Sequence, residues 1–113
     1  MKLAVLPSAR TDIRKPIEYY LELDLSRVAD RFQLAVNASI SAALRHPNAG
    51  SPRPRFHNPA LGGLRTWGVR GFDQFRIYYL VRQNTLMVVR VLHDKRDIGA
   101  ILEKQTIDDP DAD

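Results

Sequence analysis

The sequence predicts a single α+β domain with an N-terminal strand, an antiparallel two-helix hairpin packed on a twisted antiparallel sheet, and a short C-terminal helix. Three observations carry this prediction. Apolar residues recur at spacings of three and four through the first part of the chain, the mark of amphipathic helices. From Leu64 onward the period changes to two, the mark of strands. The 113 residues fall in the usual size of one domain, which buries roughly two-thirds of its unfolded surface and folds without staples.

Residues 2–6 form a short apolar run stopped by Pro7, which suits a first or edge strand. Ser8 can cap a helix that puts Ala9, Ile13, Ile17, Tyr20 and Leu21 on one face. Pro16 lacks an N–H and clashes with the carbonyl of Asp12, so a kink or restart is expected near Arg14 and Lys15. Asp24 or Ser26 starts a second helix through Val28, Phe32, Ala35, Val36, Ile40, Ala43 and Leu44. Its other face carries Arg27, Asp30, Arg31, Gln33 and Asn37, and the short link through Asp24 makes the two helices an antiparallel hairpin. Between His46 and Gly63, prolines 47, 52, 54 and 59 and glycines 50, 62 and 63 predict a long loop without regular structure, carrying Arg53 and Arg55. Strands follow near 64–70, 75–82 and 86–93, and residues 98–105 fit a short helix before an acidic, flexible tail.

Register within the last hairpin fixes which side chains share a face. If facing residue numbers sum to an even value, as for Leu80 with Val88, then Phe75, Ile77, Tyr79, Val81, Met87, Val89 and Val91 form one apolar face. Arg76, Tyr78, Leu80, Arg82, Val88, Arg90 and Leu92 lie opposite, a mixture that a one-sided sheet turns to solvent or to a partner. By this parity Tyr78 points away from the helices and is a contact candidate, whereas Trp67, Phe72, Phe75 and Tyr79 belong to the core.

Charge points to an acidic partner. Asp108, Asp109, Asp111 and Asp113 place four negative charges in the last six residues; removing them from a net +4 leaves +8 for the rest. Residues 45–96 hold ten basic side chains against Asp73 and Asp94, and arginine outnumbers lysine thirteen to four, which favours planar contacts to phosphate or carboxylate. Arg65, Arg70, Arg76, Tyr78, Arg82, Arg90 and Arg96 are the candidate partner-binding residues.

Several chemistries find no support. The chain has no cysteine, which excludes disulfides, thiolate metal sites and a cysteine nucleophile and favours a reducing compartment such as the cytoplasm. The first seven residues are too short for a signal-peptide core, and no apolar run reaches membrane-spanning length. No phosphate loop, nucleophile elbow or His-Glu-x-x-His motif occurs, and His46, His57 and His93 lack metal-ligand spacing, so neither cofactor nor metal is expected. His93 closes the last strand ahead of Asp94, Lys95, Arg96 and Asp97. His93 and Asp97 can orient Arg96 in a structural salt bridge, or His93 and Arg96 can act on RNA as acid, base or charge stabiliser.

Leu64-Arg65, Val69-Arg70-Gly71-Phe72, Arg76-Ile77-Tyr78-Tyr79 and Arg90-Val91-Leu92-His93 followed by Arg96-Asp97 resemble the toxin superfamily typified by ParE and RelE, which includes plasmid stabilisation proteins. The first half matches as well, with an initial strand, an Asp12-Ile13 helix ending in tyrosines, and Ala29-Asp30-Arg31-Phe32 in the second helix. The resemblance implies one toxin domain over residues 1–107 with 108–113 as a tail. It also implies a cognate antitoxin whose flexible, acidic C-terminal segment wraps the toxin as a strand or helix that folds on binding.

RelE-like members cut messenger RNA on the ribosome, and on that branch Arg65, Arg70, His93 and Arg96 would be the catalytic candidates. ParE-like members poison DNA gyrase and need no catalytic side chain. Residues 97–113 contain no tyrosine and the middle loop no lysine, and the His-x-x-Arg-Asp ending, residues 93–97, is closer to ParE. The resemblance therefore favours gyrase inhibition, with ribosome-dependent RNA cleavage as the alternative. A basic module that binds nucleic acid without toxicity is the third reading, distinguished by a steep salt dependence of affinity.

Overall fold

The computed structural model describes residues 1–53 and 57–107. Arg55 and the acidic tail from Asp108 to Asp113, both singled out above, lie outside the described residues. The order of elements is β1 (Lys2–Val5), α1 (Pro7–Glu22), α2 (Ser26–Arg45), β2 (Ser51–Pro52), a 3-10 turn (Pro59–Leu61), β3 (Arg65–Gly68), β4 (Phe75–Arg82), β5 (Thr85–His93) and α3 (Ile98–Glu103). The architecture is α+β, as predicted. The five-stranded sheet runs β1-β5-β4-β3-β2 and is mixed, because β1 lies parallel to β5 while the other pairs are antiparallel. No helix among the described residues is long and apolar enough to cross a membrane.

α1 is continuous through Pro16, against the predicted break. The proline removes one helix hydrogen bond and crowds the carbonyl of Asp12, a cost of about 3 kcal/mol. Ile13, Ile17 and Tyr20 pack on the main core from both sides of Pro16, and burying such side chains contributes about 1.5–3 kcal/mol each when complete, so tertiary packing outweighs the local defect. Ser8 does not cap this helix. Leu6 occupies the cap position in extended geometry, Pro7 opens the first turn with a preset φ, and Ser8 Oγ instead donates to the carbonyl of Val89 at 3.2 Å. Asp24 takes the left-handed conformation (φ 57°) between the helices, which a short polar side chain tolerates best.

The region predicted as an irregular loop contains two short ordered pieces. Ser51 and Pro52 pair with Thr66 and Arg65 at the sheet margin, where a proline can sit because no further strand among the described residues needs its missing N–H. Asn58 Oδ1 accepts from the N–H of Ala60 and starts the 3-10 turn. The hydroxyl of Tyr79 anchors the earlier part, donating to the carbonyl of Pro47 (2.8 Å) and accepting from the N–H of Gly50 (3.1 Å). A Cβ at Gly50 would lie 2.3 Å from that hydroxyl oxygen.

The hairpin register follows the even-sum rule only at its open end. Phe75 faces His93, Ile77 faces Val91 and Tyr78 faces Arg90, but Tyr79 faces Val88, so Val89 is an extra residue in a β-bulge. Val88 and Leu86 thereby join Ile77, Tyr79 and Val91 in the core beneath α1 and α2, whereas Val89, which parity placed there, packs on the opposite side with Tyr78, Leu80 and Leu92. Met87, which parity placed on the helix face, faces Leu80 across the hairpin and so lies on the opposite side, where parity had placed Leu80.

That opposite side is the larger correction. It is covered by α3 and the 3-10 turn, with Leu6, Leu61, Leu64 and Leu102 forming a second core. Tyr78 does point away from α1 and α2, but it is 1% exposed and has no free face for a partner. Asn58 holds the cover in place, its Nδ2 donating to the carbonyls of Leu102 (2.9 Å), Glu103 (3.2 Å) and Gln105 (2.8 Å). Tyr79 and the main-core residues bear out the aromatic assignment, with Trp67, Phe72 and Phe75 packed at its border.

Two substitutions test the Tyr79 anchor. Gly50→Ala is expected to destabilise the fold by about 1–3 kcal/mol through the forced displacement of Tyr79. Tyr79→Phe should cost about 1–3 kcal/mol by leaving two backbone groups unpaired. Both are read as shifts of the urea midpoint. Burial raises the Tyr79 hydroxyl above its usual pKa of 10.0, although the Gly50 bond and the Arg65 charge pull the other way. The neutral hydroxyl is therefore favoured by folding, and its contribution is complete below pH 10 and lost as the pH rises through the folded-state pKa.

Candidate partner-binding site

The site is built on a contact between α1 and the exposed edge of β5. β1 covers β5 only as far as Val88, and beyond that point the chain has turned into α1. The backbone groups of β5 that a sixth strand would pair are taken by α1 side chains: Ser8 Oγ bonds the carbonyl of Val89, and Asp12 Oδ2 accepts from the N–H of Val91 at 3.0 Å. Asp12 also receives Arg90 in a forked pair, Nε to Oδ2 at 2.6 Å and Nη2 to Oδ1 at 2.8 Å, with side-chain exposures of 4% and 15%. Gln105 completes the arrangement, accepting from Arg90 Nη1 and donating to Ser8 Oγ, both at 3.3 Å.

Between α1, the turn of residues 71–75 and the end of β5 lies an open groove of ≈ 720 Å³. Tyr19, Tyr20 and Pro16 form the α1 wall, Phe72 and Phe75 the facing wall, and Lys15, His93, Arg96 and Asp73 bring polar groups to it. The walls are braced from behind by Phe32, which meets Tyr20, Phe72 and Phe75 edge-on at centroid distances of 6.1, 5.2 and 4.9 Å. Tyr19 is 58% exposed, an aromatic ring offered to solvent beside this rigid support. Gly71, with φ 86°, allows the turn that places Phe72 there.

His93 is held from three sides. Its ring packs edge-on against Phe75, Nε2 lies 2.9 Å from Gln74 Oε1, and Nδ1 lies 3.1 Å from both the N–H of Lys95 and a carboxylate oxygen of Asp94. A neutral ring donates to Gln74 and accepts from Lys95; a protonated ring pairs with Asp94. The salt bridge expected among His93, Asp97 and Arg96 is not formed, because Asp97 Oδ1 instead accepts from the N–H of Ala100 and caps α3. No group of three or more His, Asp or Glu residues close enough to hold a metal occurs among the described residues.

Most of the arginines singled out in the sequence serve the fold. Arg65 Nη1 donates to the carbonyls of Asn48 (3.0 Å) and Gly50 (2.7 Å), Arg82 Nη2 to those of Ala60 (2.8 Å) and Gly62 (3.1 Å), Arg76 Nε to Thr66 Oγ1 (2.9 Å), and Arg90 to Asp12. Arg70 is exposed outside the groove. Arg96 and His93 are the two candidates that the structure brings together in the groove. Lys15, Tyr19, Tyr20 and Phe72 were missed as site residues. The signal available was the spacing of Asp12, Lys15 and Tyr19, which marks a second stripe on α1 beside the core stripe.

Asp12→Ala strands the Arg90 guanidinium and is expected to destabilise the fold by about 3–5 kcal/mol, whereas Asp12→Ala combined with Arg90→Met should recover a large part of that loss. Chemical denaturation of the single and double variants measures both.

A family model described as the ParE toxin of type II toxin-antitoxin system, parDE, matches residues 3–98. Among curated proteins no significant match is found. A solved structure of the chromosomal ParDE TA system from P. aeruginosa superposes with a TM-score of 0.66 at 18% sequence identity, covering 82% of this chain and 95% of that one. At that identity the likeness establishes a common fold.

Proposed function

Because the chain belongs to the ParE toxin family of type II toxin–antitoxin systems, we propose that it acts by binding: free in the cytoplasm it inhibits DNA gyrase, and a cognate antitoxin neutralises it. The observation that carries the binding reading is the use to which the arginines are put. RNA cleavage needs cationic side chains free to meet a developing phosphorane charge. Arg65, Arg76, Arg82 and Arg90 are instead bonded to internal oxygens, and Arg65 and Arg90 hold the 48–50 segment and α1 in place. The groove then offers what recognition requires, exposed aromatic surface on a rigid base with cations beside it.

His93 and Arg96 sharing that groove favour RNA cleavage as the second reading. The two are separated by one experiment. Induction of this chain alone is expected to arrest growth with relaxed plasmid and intact messenger RNA, and the purified protein at stoichiometric levels should block gyrase supercoiling. Unchanged supercoiling together with cleaved messenger RNA would move the assignment to the ribonuclease.

A further inference from the structure

We infer that the tip of the α1–α2 hairpin, residues 21–27, is a two-fold contact surface for a second copy of this chain. Leu21, Leu23 and Leu25 form its apolar centre, and Glu22 and Asp24 of each copy meet Arg27 and Arg31 of the other. None of residues 21–27 lines the groove, so the inference stands apart from the toxin reading.

The first argument is the leucines. All seven residues from Leu21 to Arg27 are exposed, and Leu21, Leu23 and Leu25 are 50%, 50% and 42% exposed. A single exposed leucine needs no explanation, but three at alternate positions in one tip form a patch. A connection between helices ordinarily carries polar residues instead. Leu25 moreover takes the N-cap position of α2 and no side chain caps that helix, although its neighbours Asp24 and Ser26 are both good capping types. The tip thus gives up local stability while holding leucines in solvent, a conflict that marks a surface kept for something other than folding.

Charge names the occupant. Glu22 and Asp24 stand at the C-terminal end of α1, and Arg27 and Arg31 in the first two turns of α2. These signs oppose the helix ends on which they sit, because a helix favours cations at its carbonyl end and anions at its amide end. Arg27 and Arg31 are also four residues apart, where like charges repel. All four side chains belong to exposed residues, and none forms an ion pair among the described residues. A partner of one sign would relieve one pair and repel the other. A second copy carries both signs, and two-fold rotation brings the acids of each copy to the α2 end of the other and the arginines to the α1 end. Both helix ends then receive the charge they lack.

Three leucines make a small patch, so the dimer is expected at the weak end of specific association, in the micromolar range. The outer edge of β1 has no neighbouring strand among the described residues, and Leu3 there is 46% exposed. Strand pairing at that edge is the competing way for two copies to join.

Sedimentation velocity of the full chain alone, over a concentration series, reads the monomer–dimer equilibrium, with thermal melting to confirm that each variant is folded. Leu23→Ser, Glu22→Arg and Arg27→Glu are each expected to weaken dimerisation at least tenfold, and Leu3→Glu less than twofold. Mixing Glu22→Arg with Arg27→Glu in equal amounts should restore the dimer, because both contacts between positions 22 and 27 in the mixed pair then join opposite charges. A role of these residues in folding alone would not produce that rescue. A wild-type chain that stays monomeric up to millimolar concentration, a dimer that the tip variants leave intact, or one that Leu3→Glu disperses would overturn the inference.

Discussion

The Asp12–Arg90 pair is the contact on which the arrangement of this fold turns. One carboxylate meets a forked guanidinium and a backbone N–H in a site from which water is largely excluded, joining residues 78 positions apart in the chain. A pair of this kind gives little net stability compared with an apolar contact of the same volume, since both charges lose their hydration. Its effect is on geometry. Asp12 accepts from the β5 backbone and Arg90 projects from the same strand, so α1 can take one position along β5 and no other without stranding a charge. The groove wall on α1, one and two turns further along the helix, inherits that position.

The bulge at Val89 is part of the same design. The extra residue shifts the side-chain parity of β5 between Arg90 and Val88. On one side of the shift Arg90 reaches Asp12; on the other, Val88 and Leu86 turn toward the helices and complete the main core. Without the shift, a strand that placed Arg90 on its observed face would send Val88 to that face as well. The hairpin is thus able to serve two apolar layers and one buried ion pair, and its second layer accounts for why α3 must lie across the sheet. Tyr78, Leu80, Val89 and Leu92 are an apolar surface that needs a cover, and Leu102 with the Asn58 clamp supplies it.

Four arginines, Arg65, Arg76, Arg82 and Arg90, work as internal cross-links. A planar group with five donors can satisfy two carbonyls at once, which suits loops whose backbone acceptors have no partner in a helix or sheet. Arg65 and Arg82 do this for the 48–50 and 60–62 segments. The consequence for function is that net charge overstates the cationic surface on offer. Lys15 and Arg96 are both exposed and stand beside the aromatic rings of one groove.

The sequence by itself determined the class of fold, the element order and most boundaries, because these follow from local periodicity: β4 was bounded to the residue, and α2 and β5 to within one or two. The resemblance to the ParE and RelE superfamily was also carried by residues in order along the chain. Only the tertiary structure decided the rest. Hydrophobic period cannot see a bulge, since one inserted residue inverts parity without changing composition, so Val88 and Val89 were assigned to each other's faces. Propensity cannot weigh Pro16 against the packing of Ile13, Ile17 and Tyr20, which come together with the sheet only on folding. Nor can a sequence say whether an arginine will meet a carbonyl of its own chain or a partner, because both present the same oxygen chemistry. That choice depends on which loops the fold brings within reach, and here it left Arg96 facing the groove and kept Arg65, Arg76, Arg82 and Arg90 within the fold.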